Sequence, residues 1–257
     1  MLDKAIILLR PGSDKNILGL PLLLRAIMAC HQAGLKTFYL IGSGEGEELK
    51  LVERVKKDRR VLSFSPYIHY FQAGSAFSQE RTSSPELFDL SGGLLLLDGE
   101  AVFDPSLLEE IKPFEPQDHE IIIFKPAEPI DTDLGWTGLA VSSGRLLPEL
   151  LDRLLSADNE GDDLLKTLPP SALVSYQSLP SGRFFLRVTS RPAEKKAIKA
   201  LLSTARKPQD GLIAKHINRR ISLFFSQGLI KLGASPSLLS FINFLIGLVG
   251  AWLAALG

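Results

Sequence analysis

The sequence is poor in the residues that build covalent and metal-based scaffolds. It contains a single cysteine, Cys30, and four histidines in 257 residues. One thiol cannot form an intramolecular disulfide, and zinc sites built on pairs of cysteines are excluded as well. The chain is therefore not a disulfide-rich secreted protein, and its cysteine content is typical of a reducing compartment.

The motifs of three common enzyme classes are also missing. There is no Gly-x-x-x-x-Gly-Lys-Ser/Thr phosphate loop, no complete Gly-x-Gly-x-x-Gly fingerprint and no Gly-x-Ser-x-Gly nucleophile elbow. These absences argue against P-loop nucleotide hydrolases, fingerprint-bearing dinucleotide-binding proteins and α/β-hydrolases. We interpret the glycine-rich stretch 42–46 as a loop, with phosphate binding as the lesser alternative.

Charge is absent from the last part of the sequence. No ionisable side chain occurs in residues 232–257, and the stretch 238–257 is apolar or small apart from Asn243. About 20 such residues suffice to cross a hydrocarbon core of ~30 Å. Small residues about one turn apart also favour contacts between helices in lipid. We expect a transmembrane helix over 233–257, with a buried helix of a soluble protein as the alternative.

The net charge of zero combines two unequal parts. Residues 187–257 carry 11 Lys and Arg against 2 acidic residues, a net charge of +9, and residues 1–186 carry 18 against 27, a net charge of −9. A basic excess before an apolar span favours retention on the cytoplasmic side. We therefore expect residues 1–231 to be cytoplasmic, at the inner cell membrane.

The basic residues before the apolar stretch follow a helical pattern. Within 210–231, apolar residues recur at spacings of three and four, and Lys215 and Arg219 fall on the opposite side. This pattern is typical of an amphipathic helix that lies in a membrane interface. With Arg220, these residues are the expected contacts with anionic lipids. A nucleic-acid patch is the alternative, but no aromatic stacking platform accompanies the charges, so we expect no nucleic-acid partner.

Residues 1–205 alternate between short apolar runs, which predict buried strands, and helical periods. Such alternation predicts an α/β fold with a mostly parallel sheet and helices on both faces. Strands are expected at 4–9, 37–41, 93–98, 120–124 and 138–142, a hairpin at 172–177 with 183–188, and helices at 22–33, 46–58, 105–111, 145–155 and 193–205. Ligands of such sheets bind outside the carboxyl ends of the strands. The turns 10–16, 42–47 and 98–104 are therefore the candidate binding region.

The body of the chain resembles the nucleotidyltransferase fold of sugar-phosphate cytidylyl- and guanylyltransferases. The resemblance is carried by the opening strand 5–9 and its glycine-containing turn, the segment 19–23 that leads into a helix, the strand and turn 94–108, and the strand 137–142. It implies an enzyme that binds CTP with Mg²⁺ and lets a sugar or inositol phosphate attack the α-phosphate.

The resemblance also implies roles for particular residues. In the turn after the first strand, Leu8, Arg10, Gly12 and Lys15 would contact the nucleotide. After the central strand, Asp98 and Glu100 would hold Mg²⁺, with Asp104 as a further candidate ligand. Outside this resemblance, Arg10 and Lys15 are equally well explained as solvated charges of a turn.

The basic and apolar end of the sequence resembles a second family. Residues 207–222, followed by Ser235, Pro236 and an apolar span, are similar to the start of the CDP-alcohol phosphotransferase membrane domain. Together, the two parts resemble bifunctional enzymes that join an inositol-phosphate cytidylyltransferase to a phosphoinositol-transferring membrane domain. The metal-binding motif of that membrane domain, which follows its first span, is missing, so we expect the sequence to be a truncated piece of a longer protein.

This second resemblance implies a domain organisation and a set of partners. A nucleotidyltransferase-like cytosolic domain would cover 1–205, a basic amphipathic juxtamembrane helix 206–232, and the first transmembrane helix 233–257. A CDP-alcohol would be the second substrate. Membrane lipids and CTP- or CDP-linked small molecules would be partners, and the membrane helices would allow a homodimer.

The sequence departs from the cytidylyltransferase pattern where the chemistry needs particular groups. Pro11 stands in place of a glycine and removes one backbone N–H from the turn. Arg187 and Thr189 stand where the family has metal-binding carboxylates. Two main hypotheses stay open: a membrane-associated transferase of phospholipid headgroup synthesis, or a catalytically degenerate domain that serves as its scaffold or regulator. A membrane anchor without a transferase partner is a third.

Overall fold

The computed structural model describes most of the first four-fifths of the chain. The described residues are 2–73, 92–125, 137–156 and 168–204, together with the helical positions Phe244, Leu245, Leu248 and Trp252. The chain divides into two compact units, Met1–Leu201 and Leu202–Gly257. The fold described below is that of the first unit.

A central sheet of seven strands organises this unit. Its strands are β1 (Leu2–Leu8), β4 (Thr37–Gly42), β5 (Tyr67–Gln72), β6 (Gly93–Asp98), β8 (Glu120–Lys125), β9 (Leu139–Ser143) and β10 (Leu173–Ser178). Their order across the sheet is β10-β8-β9-β6-β1-β4-β5. All neighbours run parallel except β9, which is antiparallel to both β6 and β8. The predicted mostly parallel sheet is confirmed.

Two short antiparallel pairs lie beside this sheet. They join β2 (Asn16–Ile17) to β3 (Leu20–Pro21), and β7 (Ala101–Phe103) to β11 (Phe185–Arg187). The predicted hairpin of 172–177 with 183–188 is therefore wrong, because β10 pairs with β8 and β11 pairs with β7. Buried Phe185 stacks on Phe103 with ring centroids 5.8 Å apart, and this contact favours β7 as the partner of β11.

Six α-helices lie in the part of the chain that the structure describes, five of them between strands and the last after β11. They are α1 (Leu22–Gln32), α2 (Gly46–Lys56), α3 (Arg59–Leu62), α4 (Pro105–Ile111), α5 (Leu147–Ser156) and α6 (Arg191–Thr204). Apart from the single turn α3, each was expected from its helical period, with ends within a few residues of those predicted. Pro105 opens α4 where its missing N–H costs nothing, and the Asp104 carboxylate caps that helix by accepting the Ser106 N–H at 2.9 Å.

The helices cover both faces of the sheet, as predicted. Successive side chains of a strand point to opposite faces, so neighbouring residues of β1 enter different cores. Ile7 packs in the cluster that contains Leu23 and Ile27 of α1. Ile6 packs in the cluster that contains Leu150 and other leucines of α5. Burial on both faces explains the continuous apolar runs of the inner strands.

The two predicted membrane-associated segments remain predictions. The segment 206–232 lies outside the described residues, and so does 233–257 apart from Phe244, Leu245, Leu248 and Trp252, which are helical and exposed. Within the described part of the chain, no helix combines the length and apolar character needed to span a bilayer.

Candidate functional site

The candidate site lies at the carboxyl ends of two neighbouring strands, β1 and β6. Their register places Leu8 opposite Asp98, and the Gly99 N–H donates to the Leu8 carbonyl at 2.8 Å. A Cβ atom on Gly99 would lie 2.5 Å from Ser13 Oγ, so the chain segments approach as closely as glycine permits. The predicted turns 10–16 and 98–104 therefore meet here.

The turn that follows β1, residues 10–15, is closed by its own hydrogen bonds. The buried Ser13 hydroxyl accepts the Arg10 N–H at 2.8 Å, and the Ser13 N–H donates to the Arg10 carbonyl at 2.9 Å. The Lys15 N–H donates to the Gly12 carbonyl at 3.0 Å. Since Pro11 has no N–H, this turn offers fewer amides to a ligand than a glycine-rich phosphate cradle does.

One amide of this turn already binds an anion of the protein itself. The Gly12 N–H donates to Glu100 Oε1 at 2.9 Å, and a Cβ on Gly12 would come within 2.5 Å of that oxygen. Glu100 is fixed from two further sides, because its N–H donates to Asp98 Oδ1 at 2.8 Å and its carbonyl accepts the Val188 N–H at 2.9 Å. Glu100 thus connects the turn after β1, the end of β6 and the segment after β11.

Asp98 is a completely buried carboxylate that faces two guanidinium groups. Its exposed fraction is 0%, and its Oδ2 lies 3.0 Å from Arg187 Nε and 4.0 Å from Arg10 Nε. A buried carboxylate is strongly unfavourable unless cations or hydrogen bonds compensate its charge. Arg187, Arg10 and the Glu100 N–H supply that compensation here.

The position of Arg187 follows from the pairing of β11 with β7 and from a glycine. Arg187 lies opposite Ala101, shortly after the end of β6. Gly138, whose carbonyl accepts the Asp98 N–H at 2.9 Å, has φ +101°. A Cβ on Gly138 would lie 3.2 Å from Asp98 Cβ and 3.3 Å from Arg187 Cδ. Glycine at this position therefore allows the two charged side chains to meet.

The remaining predicted residues have structural partners. Lys15 Nζ donates to the Val188 carbonyl at 3.3 Å, so this lysine ties the turn after β1 to the segment after β11. Leu8 is a buried core residue whose carbonyl accepts the Gly99 N–H. Thr189, at the second position where the family has a carboxylate, is exposed. The predicted roles of Leu8 and Lys15 in nucleotide binding remain predictions.

Asp104 does not join Asp98 as a metal ligand in this arrangement. Its carboxylate caps α4, and Oδ2 lies 3.2 Å from Arg183 Nη1. Arg183 also contacts Glu110 at 2.5 Å. Hydrogen bonding to Glu110, with a smaller contribution from Asp104, raises the pKa of the Arg183 guanidinium and keeps it charged.

The side chains at the end of β6 do not fit Mg²⁺ in this structure. Mg²⁺ requires about six oxygen ligands in near-octahedral geometry. Asp98 presents Oδ1 to an N–H and Oδ2 to a guanidinium, while Glu100 Oε1 is held by Gly12. Among the residues that the structure describes, no group of three or more His, Cys, Asp or Glu is placed to hold a metal ion. The metal role of Asp98 and Glu100 stays a prediction that this geometry does not support.

The third candidate turn, 42–47, follows the neighbouring strand β4. Its Gly44 N–H donates to Glu48 Oε2 at 3.3 Å, so the first turn of α2 supplies the anion for this loop. A Cβ on Gly42 would also collide with the Glu48 carboxylate. Because the Glu48 carboxylate lies against Gly42 and binds the Gly44 N–H, the structure agrees with the interpretation of 42–46 as a loop.

Sequence reasoning identified both turns of the site but missed three residues that assemble it. Ser13, Gly138 and the backbone of Val188 close the site through the contacts described above. A small polar residue in a turn and a glycine before a strand are visible in the sequence. Their partners are not, because these lie on segments far apart in the chain.

Comparison with known proteins supports the fold. No family model and no curated protein matches this sequence. Among solved structures, the chain is similar to the inositol-1-phosphate CTP transferase from T. maritima, with a TM-score of 0.50 and 15% sequence identity over 78% of this chain and 95% of that chain. A likeness at this identity concerns the fold alone, and it agrees with the predicted α/β architecture. The fusion to a membrane phosphotransferase domain remains a prediction.

Proposed function

We propose that this chain contains a cytidylyltransferase-like domain that has lost metal-dependent nucleotidyl transfer. In this proposal the domain serves as the non-catalytic scaffold or regulator of a membrane-associated transferase of phospholipid headgroup synthesis. The observation that carries the proposal is the ion pair between buried Asp98 and Arg187, whose Oδ2 and Nε atoms are 3.0 Å apart.

The argument rests on what nucleotidyl transfer needs at this position. A divalent ion orients the triphosphate and stabilises the charge that develops on it, and carboxylates must be free to ligate that ion. The Arg187 guanidinium neutralises Asp98 and repels a second cation. Removing Arg187 from the pair would take away the guanidinium that lies 3.0 Å from a completely buried carboxylate, at a cost of about 3–5 kcal/mol.

The membrane part of the proposal is supported by the sequence. Residues 187–257 carry the basic excess of +9, and residues 232–257 contain no ionisable side chain. Basic residues before an apolar span bind anionic headgroups and favour the cytoplasmic side. In this proposal Lys215, Arg219 and Arg220 hold the domain at the inner membrane surface.

An enzymatic assay tests the loss of transfer. Purified chain in detergent would be incubated with CTP, inositol 1-phosphate and Mg²⁺, the substrates suggested by the name of the T. maritima structure, and pyrophosphate release would be measured. We expect release at the rate of a protein-free blank, while the T. maritima enzyme serves as the positive control. Mg²⁺-dependent release that the variant Asp98→Asn abolishes would contradict the proposal.

An active cytidylyltransferase is the second candidate. It is favoured by the position of Asp98 and Glu100, two carboxylates that meet the turn after β1 at the carboxyl edge of the sheet. This candidate requires Arg187 to leave Asp98 when substrate binds. It predicts that Arg187→Lys, with its more flexible point charge, retains turnover in the same assay.

A further inference from the structure

We infer that the exposed basic face of α6 is a docking surface for an anionic phospholipid bilayer. This face consists of four cations, Arg191, Lys195, Lys196 and Lys199. The inference rests on the membrane part of the proposed function and goes beyond it, because it assigns lipid contact to a helix of the first unit as well as to the segment 206–232. It is independent of whether the domain transfers nucleotides.

One face of α6 is fastened to the domain. Ala197 is buried in a cluster that contains Ile17 and Val102, and Ile198 and Leu201 pack against the same cluster. Residues three and four positions apart lie on the same side of a helix. The packed residues therefore belong to one face, and the other face of α6 is left toward solvent.

The opposite face carries the cations. Arg191, Lys195 and Lys199 follow one another at intervals of four residues, so they form a single stripe, and Lys196 lies beside it. All four residues are exposed. The one acidic residue of α6, Glu194, falls on the packed face by the same spacing and is only partly exposed. The solvent face of α6 is therefore purely basic.

These four cations have no acidic partner in the part of the chain that the structure describes. By contrast, exposed Lys50 and Lys57 form ion pairs at 2.8 and 3.4 Å with glutamates three and four residues before them. Like charges one turn apart on a helix repel each other. Four unpaired cations within about 2.5 turns thus form a surface that an anionic partner stabilises.

The sequence after α6 favours a lipid surface as that partner. Residues 205–231 connect α6 to the uncharged stretch 232–257, which is long enough to cross a bilayer. The predicted span therefore keeps α6 within reach of the headgroups. The connecting residues continue the basic character with Arg206, Lys207, Lys215, Arg219 and Arg220. Nucleic acid is the competing polyanion, but α6 has no aromatic side chain on which a base could stack.

Tethering makes even weak lipid contacts of α6 effective. Each basic residue at an anionic surface strengthens binding about fivefold. A chain that is already held at the bilayer forms these contacts at a high effective concentration. We therefore expect α6 to hold the first unit against an anionic bilayer. High salt should release it, because the contacts are exposed and electrostatic.

Lysine acetylation of the native full chain tests the inference. The chain would be reconstituted into vesicles of phosphatidylcholine alone, or of phosphatidylcholine and phosphatidylglycerol in equal parts. A water-soluble acetylating ester would be applied briefly, and mass spectrometry would measure modification at each lysine relative to exposed Lys36. We expect Lys195, Lys196 and Lys199 to react at least about fivefold more slowly in the anionic vesicles, and to react at the unprotected rate in high salt.

A pair of full-chain variants distinguishes charge attraction from mere proximity to the bilayer. Lys195→Gln/Lys199→Gln removes two of the four cations and leaves Lys196 as the reporter, which should lose most of its protection. The matched control, Lys50→Gln/Lys57→Gln, removes the same charge from exposed positions in and after α2. It should leave Lys196 as protected as in the native chain.

Three results would overturn the inference. The first is equal acetylation of the α6 lysines in both kinds of vesicle, and the second is protection that high salt does not reverse. The third is protection by RNA in detergent without protection by anionic lipid, which would make the partner a nucleic acid.

The inference and the proposed function fail in different ways. A chain that inserts into both vesicles but shows equal acetylation contradicts the docking surface alone. A chain that associates with neither kind of vesicle contradicts the membrane location and the docking surface together. Pyrophosphate release with CTP and Mg²⁺ contradicts the loss of transfer and leaves the docking surface unaffected.

Discussion

The Arg187 side chain is important for both the fold and the site, because it is paired with buried Asp98. Replacing Arg187 by leucine removes the guanidinium that lies 3.0 Å from a carboxylate with no exposed surface. We expect Arg187→Leu to lower the free energy of unfolding by about 3–5 kcal/mol, measured by urea denaturation. The double variant Asp98→Asn/Arg187→Leu should recover a large part of that loss, because its buried group is neutral. Equal stability of the single variant and the native chain would contradict this account.

His69 makes the stability of the domain dependent on pH. It lies in β5, stacks on Tyr39 with ring centroids 5.7 Å apart, and has a lowered pKa because of desolvation and the nearby charge of Lys56. The folded chain therefore binds the His69 proton less readily than the unfolded chain. This contribution to stability is complete above the unfolded pKa of about 6.5 and is lost as the pH falls below it.

Urea denaturation between pH 8 and pH 5 measures this dependence. The native chain should lose stability progressively below about pH 6.5. The variant His69→Gln cannot take up that proton, so its stability curve should be flatter over the same interval. A curve for His69→Gln with the native slope would show that other groups cause the loss.

The turn before β9 requires glycine for both its backbone conformation and its packing. Gly138 has φ +101°, and a Cβ there would lie 2.9 Å from Phe185 Cε1. Gly182 has a similar φ of +79°, but a Cβ there would meet no atom within 4 Å, so it is a matched control. We expect Gly182→Ala to cost about 1 kcal/mol from backbone strain. Gly138→Ala should cost at least about 1 kcal/mol more because β11 must shift. Thermal unfolding measures both, and equal losses would contradict the packing argument.

Most elements could be predicted from the sequence because their own residues carry the signal. Strand β6 is a continuous apolar run, and it is buried along its whole length. Strand β5 was missed because it lies at the sheet edge, where partly exposed polar residues interrupt the apolar pattern. The partner of β11 was also mispredicted, because it depends on the contact of Phe185 with Phe103 across a long stretch of chain.

The position of the candidate site could be predicted from the sequence, but only part of its side-chain contacts could. Strand ends identified the turns, and the resemblance placed Arg187 at the position of a metal-binding carboxylate. The structure adds that Arg187, which stands at that position, forms an ion pair with Asp98. The bond between Gly12 and Glu100 could not be predicted, because Glu100 was assigned to a metal and no local pattern directs its side chain to the turn after β1.

At the scale of the whole molecule, the separation of charge makes a prediction about location. The acidic part, residues 1–186, carries −9, and the basic part, residues 187–257, carries +9 and includes the apolar stretch 232–257. An anionic leaflet attracts the basic part and repels the acidic one, with about 1 kcal/mol for each basic residue at the surface. We therefore expect the chain to fractionate with inner membranes and to resist extraction by alkaline carbonate.

Two variants separate the apolar from the electrostatic contribution to membrane binding. A chain that ends at residue 231 keeps the basic segment, so it should bind anionic vesicles and be released by high salt. In that shortened chain, replacing Lys215, Arg219 and Arg220 by glutamine should weaken vesicle binding about 100-fold, since three contacts of about 1 kcal/mol are lost. The matched control replaces Lys50, Lys57 and Arg145, exposed residues of the first unit, and should bind as the shortened chain does. Carbonate extraction of the full chain, or vesicle binding insensitive to both salt and the three replacements, would contradict a membrane location based on this charge separation.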